Sequence, residues 1–76
     1  MKEIAKGVTV DEGVAFGKPV IKGTRMPVAL VVGQLAGGMS YEEVMQEYGL
    51  TKGEIRAARD YAAKAVSLEE VHVTGS

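Results

Sequence analysis

The sequence predicts a mainly α, α+β domain, with a three-helix core of helix-turn-helix type behind a short N-terminal β arm or hairpin. Three observations predict it. Ser40-x-x-Glu43 and Thr51-x-x-Glu54 both have capping-box spacing, and each opens a stretch with apolar residues at helical intervals. Pro27 and Gly37-Gly38 bracket a third apolar segment in the way that helix starts and stops are marked. Ahead of Pro27 the chain is rich in Gly and β-branched residues and poor in helix signals.

Taken in order, Val8 and Val10 alternate with Thr9 as in a short strand, and Asp11–Gly13 reads as a turn. Gly17, Pro19, Gly23 and Pro27 punctuate the next stretch, leaving Val20–Ile21 strand-like. Pro19 cannot donate to a ladder, so that strand begins after it or lies at an edge. Gly17-Lys18-Pro19 lacks the spacing and the Ser/Thr of a phosphate loop. The first helix is expected over Val28–Ala36. Gln34 is its single polar side chain, and a helix apolar nearly all round is buried on more than one side. Three helices this short do not surround it, so either the N-terminal arm or a second copy covers its far side. The second option makes Val28, Val31, Val32 and Leu35 a homodimer interface. Gly33 and Gly37 leave room there for close backbone approach.

The second helix is expected over Tyr41–Tyr48, with Tyr41, Val44, Met45 and Tyr48 on one face and Glu42, Glu43, Gln46 and Glu47 turned out. Gly49 follows where a left-handed residue ends a helix. The third helix is expected from Lys52 to about Val66. Ile55, Ala58, Ala62, Ala65 and Val66 form its inner stripe; Lys52, Gly53, Arg56, Asp60 and Lys64 face solvent, with Arg59 on the flank. After Ser67 the alternation of Val71 and Val73 across His72 reads as an extended tail, an edge strand or a segment that orders on a partner. One domain is expected over 1–76: a β arm over 1–26, the helical core over 27–66 and the tail over 67–76.

Bulk properties narrow the function. A chain of 76 residues buries little surface alone and gains from a disulfide, a metal or a partner chain. With no Cys and a single His, neither disulfides nor a metal site is expected, nor any cofactor, so a partner chain is left. No nucleophile–base set or Gly-x-Ser-x-Gly elbow occurs, and no catalytic residues are expected. Met1–Gly7 lacks the apolar run of a secretory signal, and Val28–Val32 is too short to span a bilayer, which suggests a cytoplasmic protein with no membrane partner. The net charge of −1 excludes a strong non-specific nucleic-acid binder but not a dimer with a local basic patch. On a helix-turn-helix reading, Lys52, Arg56 and Arg59 enter a major groove, with Arg56 placed to pair bidentately with guanine. Lys18 and Arg25, with Lys22 close by, then supply phosphate contacts. The competing reading pairs Arg56 with Asp60 one turn on and leaves the loop cations solvated. Asp60 and the glutamates of the second helix count against DNA.

The run Gly17-Lys18-Pro19-Val20-Ile21-Lys22-Gly23-Thr24-Arg25-Met26-Pro27-Val28 resembles the signature of the domain of unknown function 433 family. That pattern continues through Gly38-Met39-Ser40-Tyr41-Glu42-Glu43, then Tyr48, Leu50, Thr51, Ile55, Ala58 and Tyr61-Ala62, so the resemblance runs from Val8 to about Ala63. It implies a homeodomain-like three-helix fold with an N-terminal β element. It also implies a VapB-like antitoxin, often encoded beside a PIN-like ribonuclease toxin, and carries over no catalytic residues. Many helix-turn-helix units have a small residue where this chain has Met45, which bears on the docking angle. The expected function is an antitoxin-like regulator that binds a PIN-like toxin and its own operator DNA. The alternative is a homo-oligomerising interaction module that never touches DNA.

Overall fold

Three short antiparallel strands precede three helices: β1 (Lys2–Ala5), β2 (Val8–Val10), β3 (Val20–Ile21), α1 (Val28–Ala36), α2 (Tyr41–Tyr48) and α3 (Lys52–Thr74). The structure, a computed structural model, describes the backbone of residues 2–74 and the side chains of residues 2–66. The sheet order is β1-β2-β3, with Lys2 opposite Val10, Glu3 opposite Thr9 and Ala5 opposite Val8, then Val8 opposite Ile21 and Thr9 opposite Val20. The register slips between Glu3 and Ala5, which accommodates the tight turn at Lys6-Gly7. Gly7 sits at φ 79°, a left-handed conformation that a side chain would make costly.

The N-terminal segment is thus a three-stranded sheet built into the domain rather than an arm or hairpin laid against it. Val8 and Ile21 join Val28, Val31, Val44, Leu50, Ile55 and Ala58 in one buried cluster. Thr24 closes the loop after β3: its hydroxyl donates to the carbonyl of Ile21 at 2.8 Å and accepts from the N–H of Met26 at 3.0 Å. Between β2 and β3, Ala15, Phe16 and Gly17 turn through left-handed backbone in succession, leaving Phe16 97 % exposed.

The three helices begin where the sequence places them. Pro27 precedes α1 without a side-chain cap. Ser40 and Glu43 form a reciprocal capping box on α2: the Glu43 N–H donates to Ser40 Oγ at 3.1 Å, and the Ser40 N–H donates to Glu43 Oε1 at 2.9 Å. Thr51 and Glu54 repeat it on α3 at 3.1 and 2.8 Å. Gly49 ends α2 in a left-handed conformation.

Two expectations are revised. Val28 and Val31, assigned to a dimer interface, are buried in the chain's own core, because α1 packs on α3 and α2 and its inner valines join the cluster that Val8 and Ile21 also enter. Val32 and Leu35 are half-buried against the same core, and the outward side of α1 carries Ala29, Leu30, Gly33 and Ala36. The extended tail is replaced by helix, since α3 continues through Val71-His72-Val73 to Thr74. Between Gly53 and Gly75 the chain contains no Gly or Pro. Propagating a helix already nucleated costs less than stopping it without a breaker, and two alternating valines are too short a signal to reverse that.

Candidate nucleic-acid interface

The fold leaves the first turns of α3 open on their outer side. Ile55 and Ala58 point into the core, which forces Lys52, Gly53, Arg56, Arg59, Asp60 and Lys64 out into solvent by helical geometry alone. Two adjoining hollows flank this ridge. One is lined by Tyr41, Glu42, Lys52, Arg56, Arg59 and Asp60. The other lies between α3 and the sheet, where Lys6, Lys22, Glu54, Arg56, Asp60 and Lys64 meet. Among the described residues, six Lys and Arg side chains line these hollows, against three carboxylates. A chain of net charge −1 therefore presents one locally cationic face.

The charged groups of this face are not equally free. Arg59 donates from a guanidinium nitrogen to the Tyr41 hydroxyl at 3.1 Å, a tie between α3 and the start of α2. That hydrogen bond, with Asp60 nearby, favours the charged guanidinium further. Glu54 is engaged by the Thr51 N–H, so its carboxylate serves the helix start. Arg56 forms no ion pair with Asp60: among the described residues the ion pair present joins Lys22 Nζ to Glu3 Oε1 at 3.1 Å. The other Glu3 oxygen accepts the Gly7 N–H at 3.1 Å. The Gly7 hydrogen bond first, and Lys22 second, hold the Glu3 carboxyl below its ordinary range.

Of the five cations assigned to DNA from the sequence, the structure brings Lys52, Arg56 and Arg59 together and leaves Lys18 and Arg25 exposed on the loops around β3, lining neither hollow. In their place stand Lys6 and Lys64, together with Lys22. No local pattern signals Lys6, because its place beside α3 depends on the pairing of β1 with β2. The available clue is Gly7, whose left-handed turn aims the hairpin at the helix.

A family model described as "Protein of unknown function (DUF433)" matches residues 8–62. The chain belongs to the DUF433 family. The matched span runs from the start of β2 to the middle of α3 and takes in Arg56 and Asp60, while Lys6 and Lys64 lie outside it. A relative named "Putative antitoxin VapB45", from Mycobacterium tuberculosis (strain ATCC 25618 / H37Rv), is 36% identical over 56 residues. That alignment takes in 74% of this chain and 23% of the relative, so this DUF433 chain spans about a quarter of the curated protein it matches. The crystal structure of a DUF433 member protein from Anabaena variabilis ATCC 29413 superposes with a TM-score of 0.74 at 26% identity, over 90% of this chain and 68% of that one. The X-ray structure of Rv2018 from Mycobacterium tuberculosis superposes with a TM-score of 0.61 at 35% identity, over 67% of this chain and 24% of that one.

Proposed function

We propose that this DUF433 protein is an antitoxin-like regulator that binds operator DNA with α2 and α3 acting as a helix-turn-helix, and that also binds a cognate toxin. One observation carries the DNA half of this reading: the segregation of cations onto the open ridge of α3, with Arg56 exposed at its centre and, among the described residues, in no ion pair. A recognition helix reads bases with its N-terminal residues, and Lys52 and Arg56 occupy those positions. The guanidinium of Arg56 suits bidentate pairing with guanine O6 and N7, and Lys52 suits a neighbouring phosphate. The toxin half is supported by the likeness to a relative named putative antitoxin VapB45, and the sequence resemblance described above implies a PIN-like partner.

A second reading is favoured by α2. Glu42, Glu43 and Glu47 are exposed on the helix that in a helix-turn-helix crosses the phosphate backbone. On that reading the chain is an interaction module and Arg56 meets a protein. Titration of the duplex upstream of its gene at low salt, with and without the protein encoded beside it, separates the two. Operator binding predicts a shift, and Arg56→Ala then costs about 1–3 kcal/mol and relaxes preference at one base pair. Absence of any shift in both cases selects the interaction module.

A further inference from the structure

We propose that the β1–β2 turn is a second contact to the same nucleic acid, with Lys6 of the turn and Lys64 of α3 neutralising backbone phosphates of duplex DNA beside the groove that Lys52 and Arg56 enter. This rests on the DNA reading above and extends it from one helix to a helix and a sheet.

The hollow between sheet and α3 has Arg56 on its rim in common with the other hollow, so the two cationic surfaces form one continuous face. The turn is held tightly against α3. A Cβ built on Gly7 would lie 2.9 Å from the Cβ of Ala57, so the hairpin backbone sits where a side chain would otherwise keep it away. The Lys22 N–H donates to the Gly7 carbonyl at 2.9 Å and fixes β3 to the same turn. Glu3 completes the arrangement by accepting from the Gly7 N–H and from Lys22 Nζ, which positions an ammonium at the rim. Two carboxylates line this hollow, Glu54, which caps α3, and Asp60, against Lys6, Arg56, Lys64 and the Lys22 that Glu3 holds. Among the described residues Lys6, Arg56 and Lys64 stand on this hollow in no ion pair, and cations spaced in this way match a polyanion whose charges repeat along a backbone. Such contacts position the duplex without reading sequence.

The test compares the full chain with Lys6→Ala/Lys64→Ala and, separately, Arg56→Ala, by fluorescence anisotropy on the upstream duplex and on a scrambled duplex across a salt series. Lys22 is left in place because it holds Glu3. The expected result for the double variant is a loss of affinity shared equally by both duplexes, with the slope of log K against log salt shallower by about two. Its thermal unfolding should match that of the parent chain, since both side chains are exposed. If the double variant keeps affinity and slope while Arg56→Ala weakens binding, the sheet contact is overturned and the helix reading stands. If the unmodified chain binds neither duplex at low salt, both fall.

Discussion

α1 and α3 pack against one another across the core, yet their outer faces differ completely. α1 buries Val28 and Val31 and carries no charged side chain; its outward positions are Ala29, Leu30, Gly33 and Ala36. α3 buries Ile55 and Ala58 and turns a ridge of cations and one aspartate to solvent. The contrast separates two roles that a small domain usually mixes. The inner stripes of both helices hold the fold, and of the two outer stripes that of α3 alone carries charge. Stability and recognition should therefore respond to different substitutions.

The largest effect should come from the shared interior. Ile55 is fully buried, so Ile55→Ala removes apolar contact and leaves a cavity, at a cost of about 2–5 kcal/mol in urea unfolding. Leu30, 40% exposed on the outer side of α1, should cost much less when replaced by Ala. Equal losses at the two positions would break the inner–outer distinction. Next in size is the start of α3. Thr51→Ala removes the hydroxyl that accepts the Glu54 N–H and should cost about 1 kcal/mol in the same measurement. α1 has no side-chain cap to lose. The smallest effect concerns the sheet beside the ridge. The carboxyl of Glu3 is held below its ordinary range, so its contribution is complete above that range and disappears as pH falls through the lowered value. Stability of the parent chain should thus decline slightly more on acidification than that of Glu3→Gln, by matched thermal melts; coincident pH profiles would show that the Glu3 bridge contributes nothing.

The helices were readable because their ends are written locally. Ser40, Gly49, Thr51 and Gly37 act on backbone groups within a few residues, and α1 and α2 end at the expected residues. β1 was not readable. Lys2–Ala5 is mostly exposed and lacks β-branched alternation, so its strand character comes from pairing with Val8–Val10, not from its own composition. For the same reason the cationic face was half legible. Lys52, Arg56 and Arg59 follow from helical phase, whereas Lys6 and Lys22 reach α3 only through the register of a sheet. The dimer interface failed at Val28 and Val31 because apolarity says that a side chain is buried but not against which chain.

The contact between Gly7 and Ala57 also limits how this sequence can drift. A side chain at position 7 would meet the Ala57 methyl at 2.9 Å and would need left-handed backbone besides. Position 7 is thus held to Gly twice over, by its backbone and by the helix fifty positions on, and the turn that carries Lys6 keeps its close seat on α3 through that restriction.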